Sequence, residues 1–217
     1  MRMRLAITGA DQPMGALLCQ RLAAQHEVIP VGAATESGQD GVDAASYRRA
    51  NLNLPPGAAA AIRGADMIVH AQPHDPEPGL GTAAEGALLE RISRGTYVLV
   101  QAAVAAHVGR LILISQMRLF QDIPEQFIVT ETWQPRPRPE AASLAPFMAE
   151  LVCREIARTG RIEVVNLRMG MLGAADGTSG DAAADAVQRA LTVDMAEGYH
   201  WQEQHVVSGG RFLPQGA

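Results

Sequence analysis

Residues 4–25, RLAITGADQPMGALLCQRLAAQ, decide the fold of this 217-residue chain. An apolar strand over Arg4–Thr8 is followed by a glycine-containing turn over Gly9–Gly15 and by a helical pattern over Ala16–Gln25. The first N–H groups of such a helix and the positive end of its dipole face the turn, where they favour a pyrophosphate. The stretch therefore predicts a phosphate-binding βα unit at the start of a parallel sheet.

The rest of the chain alternates apolar runs with helical patterns, which is typical of an α/β domain with helices on both faces of a parallel sheet. Further strands are predicted at Glu27–Gly32, just before Ala50–Leu54, and at Asp66–Ala71, Arg110–Ser115, Arg161–Arg168 and Gln204–Ser208. Helices are predicted at Pro55–Arg63, Thr82–His107, within 131–157 and at Asp181–Val193. We expect one Rossmann-like, doubly wound domain over residues 1–217, with about seven strands in the order 3-2-1-4-5-6-7.

Composition excludes several classes of function. All 18 basic residues are arginine, the formal net charge is −5, and no basic stripe is present, so we expect no nucleic-acid binding. The apolar run in MRMRLAITGA is too short to span a membrane or to act as a signal peptide, which favours a cytoplasmic protein. Cys19 and Cys153 lack metal-type or redox-type spacing, and both are predicted to be buried free thiols.

Several segments, in register along the chain, resemble one known family. They are ITGADQPMG (7–15), similar to a TGxxGxxG turn; ADMIVHAQP (65–73), similar to D-x-V-x-H-x-A-A; GTYVLVQAAVAAHVGRLILIS (95–115); residues 131–157; VVNLRMGMLGAADG (164–177); and residues 181–191 and 205–210. Together they resemble the extended short-chain dehydrogenase/reductase family, which contains NAD-dependent sugar epimerases and dehydratases. The resemblance also leads us to expect little or no C-terminal substrate domain.

The resemblance implies an NAD or NADP site, without a metal. Its residues would be Thr8, Gly9, Gln12, Pro13, Met14, Gly15, Gly32, Asn51, Leu52, Ala71 and Gln72. Gln12 replaces the middle glycine, which normally lets the backbone approach the pyrophosphate closely. Gly32 replaces the acidic residue that would hold the adenosine ribose, and we expect no arginine beside it for a 2′-phosphate. Asn51 can still hydrogen-bond adenine, so we expect a weakened site.

The positions that carry the family's chemistry are replaced in this chain. Met117 falls at the catalytic Ser/Thr with Ser115 as the adjacent hydroxyl, Ala142 at the tyrosine, Pro146 at the lysine and Ile92 near the helix asparagine. The reaction needs a phenol whose pKa is lowered by an ammonium group, so that a proton can move as hydride moves. Alanine and proline cannot do this, and the chain contains no lysine.

Three hypotheses about function therefore remain open. The first is a catalytically degenerate nucleotide-binding protein with a regulatory, sensing or scaffolding role. The second is an active atypical oxidoreductase or sugar-nucleotide epimerase that uses an acid such as His74 or Asp75. The third is a structural interaction subunit without a ligand. A metal site at His70, His74 and Asp75 is less favoured, because His70 matches a strand-end residue of the family.

The resemblance also implies a homodimer, formed through the segments 85–107 and 144–159. In the second segment Phe147, Met148, Leu151 and Val152 form an apolar stripe that is wide enough to bury. Part of that stripe must face the sheet, so packing within the core is the alternative explanation.

Overall fold

A parallel sheet forms the centre of the computed structural model, which describes residues 2–72, 81–175, 177–210 and 212–213. Within these residues seven strands have the order 3-2-1-4-5-6-7, which confirms the predicted fold class. The strands are β1 Arg4–Thr8, β2 Glu27–Gly32, β3 Arg48–Arg49, β4 Met67–His70, β5 Arg110–Gln116, β6 Glu163–Met169 and β7 Trp201–Val206. The strand order reverses between β1 and β4, and ligands of such sheets bind beyond the carboxyl ends of the strands at this point.

Helices cover both faces of the sheet. They are α1 Pro13–Leu22, α2 Pro55–Ala61, α3 Thr82–Leu89, α4 Gly95–Ala105, α5 Ala141–Ala157 and α6 Gly180–Ala190. A π-helical turn, Glu90–Arg94, joins α3 to α4, and a 3₁₀ turn, Met117–Phe120, follows β5. The predicted helical stretch 82–107 is therefore two helices around one wider turn.

Two elements begin three residues earlier than the sequence predicts. Helix α1 begins at Pro13 rather than at Ala16, because proline suits the first helical position, where an N–H group has no partner to lose. The last strand begins at Trp201, three residues before the predicted Gln204, since its register is set by pairing with β6 from Val164↔Trp201 onward.

Side chains alternate across the sheet and form one core on each face. Leu5 and Ile7 of β1 pack with α1 and α6, whereas Ala6 between them packs toward α4 and α5. Cys19 belongs to the first core and Cys153 to the second, and both are buried free thiols as predicted. Burial raises the pKa of the Cys19 thiol to about 12 and also raises the pKa of the Cys153 thiol. Among the described residues, no helix is long and apolar enough to cross a membrane.

Candidate dinucleotide site

A cavity of about 350 Å³ opens beyond the carboxyl ends of β1, β2 and β4. This volume lies within the range of small-molecule sites, roughly 300–1,000 Å³. Seven of the residues predicted to bind a cofactor line it: Thr8, Gly9, Gln12, Gly32, Asn51, Leu52 and Gln72. Asp11, Val31, Ala33, Arg49, Ala50, Asn53 and Arg91 line it as well, although none of them was predicted.

The other four predicted residues do not line the cavity. Met14 and Ala71 are buried in the core, and Pro13 is the exposed first residue of α1. Gly15 lies in α1 where an added Cβ would come within 2.1 Å of the Gly9 carbonyl oxygen. These residues lie next to the turn without facing the cavity. Glycine at position 15 lets helix α1 pack closely against the Gly9 carbonyl.

The turn itself lies tightly against strand β4. Gly9 has a φ of +70°, and a Cβ there would lie 1.7 Å from the Ala71 carbonyl oxygen, so only glycine fits. Gln12 has extended backbone angles, φ −126° and ψ 155°, and its N–H donates to the Gly9 carbonyl at 2.9 Å. The backbone at position 12 therefore accepts glutamine without strain. Compared with the family's glycine, the difference is the added side chain, which lies at the cavity.

A buried histidine orients the hydroxyl group of Thr8. His70 Nδ1 lies 2.7 Å from Thr8 Oγ1, and His70 Nε2 lies 3.0 Å from Thr96 Oγ1. The Thr96 hydroxyl donates in turn to the Ile92 carbonyl at 2.6 Å. The Gln72 amide nitrogen lies 2.7 Å from the same His70 Nε2. These contacts hold the Thr8 hydroxyl in place at the edge of the cavity.

Burial lowers the pKa of His70 to about 3, so the imidazole is neutral throughout the physiological range. Both ring nitrogens are used in hydrogen bonds within the strand-end network. The described residues contain no group of three or more histidine, cysteine or acidic side chains that could hold a metal ion. His74 and Asp75, the other members of the metal hypothesis, lie outside the described residues.

The end of β2 carries charged groups that sequence reasoning missed. Asp11 Oδ2 accepts hydrogen bonds from the Ala33 and Ala34 amides, each at 2.9 Å. Arg49 is the register partner of Gly32 in the β2–β3 pairing, and its exposed side chain lines the cavity. The expectation that no arginine lies beside Gly32 is therefore wrong, because the sheet brings together two residues that are far apart in sequence.

Two further groups border the remaining part of the cavity. Asn51 Oδ1 accepts from the Asn53 N–H at 3.0 Å, which fixes the turn that leads into α2 and leaves the Asn51 amide nitrogen for a ligand. Arg91 reaches the cavity from the π-helical turn, a distortion that often occurs at functional sites. No pattern in the sequence distinguishes Arg91 from the other exposed arginines of this segment.

The positions expected to carry catalysis lie inside packed regions. Met117 and Ala142 are each only 2% exposed, and Ile92 is 1% exposed. Pro146 is buried in the interior of α5, where proline has no N–H to donate. None of these side chains can exchange a proton at physiological pH.

A largely buried ionic cluster links β5, β6 and β7 to α5. Ser115 Oγ donates to Glu150 at 2.5 Å, and Arg168 donates to Glu150 at 2.8 Å and to Glu203 at 2.6 Å. The Arg168 guanidinium also lies over the Phe120 ring, 5.1 Å from its centroid. Burial alone would lower the pKa of Arg168, but the two carboxylates raise it, so the guanidinium stays charged. Burial raises the pKa of Glu203.

The parallel sheet, the glycine turn and the cavity at the reversal of strand order define a Rossmann-like domain. The chain belongs to the NAD dependent epimerase/dehydratase family, whose family model matches residues 5–205.

Known proteins similar to this chain include dehydrogenases and a dehydratase. L-arabinose 1-dehydrogenase (NAD(P)(+)) of Haloferax volcanii is 27% identical over 188 residues, which are 80% of this chain and 68% of that protein. Uronate dehydrogenase from Agrobacterium tumefaciens superposes with a TM-score of 0.77 at 18% identity, over 93% of this chain and 76% of that one. DesIV, a dTDP-glucose 4,6-dehydratase from Streptomyces venezuelae, was solved with NAD and TYD bound. It superposes with a TM-score of 0.77 at 20% identity, over 94% of this chain and 75% of that one. At these identities the two structures establish the fold alone.

Proposed function

We propose that this protein binds NAD or NADP in the cavity beyond β1, β2 and β4, and that it does not carry out the family's tyrosine-dependent reaction. The observation that supports binding is the cavity itself, which places the Gly9 turn, the start of α1 and the polar side chains of Thr8 and Asn51 around one space. The membership of the family and the bound NAD of DesIV agree with this choice of ligand.

The residues present fit the adenosine and pyrophosphate half of a dinucleotide. The pyrophosphate would lie over residues 9–15, where the first N–H groups of α1 have no acceptor within the helix. The Thr8 hydroxyl lies at the edge of this space, and the amide nitrogen of Asn51 would donate to adenine. When bound, the nicotinamide would supply a hydride donor or acceptor.

The chemistry that would accompany hydride transfer lacks its usual proton donor. Met117, Ala142 and Pro146 cannot replace a hydroxyl, a phenol and an ammonium group, and general acid–base catalysis typically contributes about 10²–10⁴-fold to a rate. We therefore propose a regulatory, sensing or scaffolding role in which the dinucleotide is a ligand. The buried free thiols are consistent with a reducing compartment, and we place this role in the cytoplasm.

Isothermal titration calorimetry with NAD, NADH, NADP and NADPH tests the binding proposal. We expect saturable binding of at least one of them. Gln12→Gly should tighten it, because removal of the side chain lets the phosphates approach the backbone more closely. Gln25→Gly, an equivalent change at an exposed position away from the cavity, is the matched control. Absence of binding by all four dinucleotides would refute the proposal and favour a structural subunit without a ligand.

Turnover assays test the second part of the proposal. We expect no efficient oxidation of NADH or NADPH with sugar nucleotides, and no epimerisation of them. Brisk, saturable turnover by the unmodified protein would contradict us and favour the atypical enzyme. The acids named for that alternative, His74 and Asp75, would then be the first residues to substitute.

We infer in addition a homodimer formed through α4 and α5. Tyr97 on α4 is 50% exposed and Met148 on α5 is 40% exposed, so each helix presents an apolar group to solvent. Ala145 and Ala149 of α5, by contrast, pack against α3, and that face is not available to a partner. A monomeric mass by light scattering at tens of micromolar would refute this inference.

A further inference from the structure

Strand β2 ends in Gly32, which has no side chain, and the carboxylate of Asp11 lies in the space that a side chain at position 32 would fill. A Cβ added to Gly32 would lie 2.7 Å from Asp11 Cγ, 2.9 Å from Asp11 Oδ1 and 2.2 Å from the Tyr47 hydroxyl. A side chain at position 32 would therefore displace the Asp11 carboxylate or the Tyr47 hydroxyl. The acidic group comes from the glycine-containing turn after β1.

The Asp11 carboxylate is held rigidly in this position. Its Oδ2 accepts from the Ala33 and Ala34 amides, both at 2.9 Å, and these two bonds fix the rotation of the side chain. The Tyr47 hydroxyl donates to the Ala34 carbonyl at 3.0 Å, so it contacts the same loop that binds the carboxylate. Neither of the two amide bonds uses Oδ1, and Asp11 lines the cavity. One carboxylate oxygen is thus kept as an acceptor beside the ligand space.

We propose that Asp11 recognises the adenosine ribose, accepting hydrogen bonds from its 2′- and 3′-hydroxyls, and that it makes the site select NAD over NADP. The proposal rests on dinucleotide binding as described above. A fixed carboxylate suits a diol, because hydroxyls donate to it and a charged acceptor strengthens each bond. It opposes a 2′-phosphate, since two anions in contact repel each other by several kcal/mol in a binding site.

Arg49 is the group that argues for the opposite preference. It lies across from Gly32 and lines the same cavity, and a guanidinium there could pair with a 2′-phosphate. Arg49 belongs to a strand of only two residues and its side chain is exposed, so it must be ordered when a ligand binds. The carboxylate of Asp11 is already fixed over the ribose position, and we therefore expect its preference to dominate.

Dissociation constants for NAD, NADP and an NAD analogue that lacks the adenosine 2′-hydroxyl test this proposal in the unmodified protein. We expect NAD to bind about ten-fold or more tighter than either of the others, which is the typical effect of one hydrogen bond to a charged group. Tighter binding of NADP than of NAD, or equal binding of NAD and its 2′-deoxy analogue, would overturn the proposal. Failure of every dinucleotide to bind would instead refute the proposed function.

Asp11→Asn gives a second test at the level of the residue. This substitution keeps the size of the side chain and one oxygen that can accept from the loop amides. We expect it to weaken the affinity for NAD about ten-fold and to leave the affinity for NADP unchanged or higher. Asp43→Asn is the matched control, because Asp43 also accepts from a loop amide, that of Ala45, but lies away from this cavity. An equal loss of affinity for NAD and NADP in Asp11→Asn would show a structural role and contradict the proposal. Arg49→Gln should leave the ratio of the two affinities in favour of NAD.

Discussion

Replacement of His70 by glutamine should remove a large pH dependence from the stability of this protein. In the native state His70 is fully buried and stays neutral, since burial lowers its pKa from the usual 6.5 to about 3. In the unfolded chain the imidazole is exposed and takes up a proton near its usual pKa. Between these two pKa values the unfolded state binds more protons than the native state. The contribution of the neutral His70 to the free energy of unfolding is therefore fully present above the unfolded pKa, and it is lost as the pH falls toward 3.

The size of the effect follows from the pKa difference. At pH 4.5 the unfolded imidazole lies about two pH units below its pKa, while the native one is still almost entirely neutral. At about 1.4 kcal/mol per pH unit, the histidine-specific loss between pH 7.5 and pH 4.5 is about 3 kcal/mol. Carboxylates also titrate over part of this range, so the quantity to measure is the difference between the unmodified protein and His70→Gln.

Urea denaturation at a series of pH values from 7.5 to 4.5 gives that difference. The unmodified protein should be the more stable at neutral pH, and its advantage in free energy of unfolding should shrink by about 3 kcal/mol as the pH falls. His107→Gln, which removes an exposed imidazole, supplies the comparison for loss of a surface histidine. A free-energy difference between the unmodified protein and His70→Gln that stays constant over this range would show that His70 is not held neutral by burial.

Three other substitutions, one of them with a matched control, probe the turn, the ionic cluster and the packed catalytic positions, and each is measured by thermal or urea unfolding. Gly15→Ala should destabilise by about 1–3 kcal/mol, because its Cβ would lie 2.1 Å from the Gly9 carbonyl oxygen. Gly86→Ala, with open space around the Cβ in α3, should stabilise by about 0.5–1 kcal/mol; equal effects of the two would refute the steric argument. Glu150→Ala should cost about 3–5 kcal/mol by leaving Arg168 partly unpaired in the interior, and a loss below about 1 kcal/mol would contradict that role. Ala142→Tyr should destabilise by about 1–3 kcal/mol, since this position is only 2% exposed, and unchanged stability would show that the site has room for a phenol.

Most of the sheet was predictable because its central strands are apolar on both faces. Glu27–Gly32, for example, has the bounds expected from the sequence, and burial on both sides of a parallel strand produces a continuous apolar run. The π-helical turn Glu90–Arg94 was not predictable, since this segment has the composition of an ordinary helix. The turn contacts α5, as do α3 and α4 on either side of it.

The candidate site was predictable where it depends on local chain geometry and not where it depends on tertiary contacts. The turn at Gly9 follows from the pattern of glycines, because its positive φ needs glycine. The pairing of Gly32 with Arg49 joins two residues through a strand only two residues long, too short to carry a sequence pattern. The position of Asp11 over Gly32 depends on amides donated by a different loop, and no spacing rule connects them.

The two cysteines can report local unfolding of the helical layer on each face of the sheet. Cys19 lies on the α1 and α6 side of the sheet and Cys153 on the α4 and α5 side. Because burial suppresses the reactive thiolate of both, modification by a thiol reagent requires the surrounding layer to separate from the sheet first. The labelling rate of each cysteine, resolved by mass spectrometry, therefore reports the opening free energy of its own layer. Addition of a dinucleotide should slow labelling at Cys19 if the start of α1 is held by the phosphates.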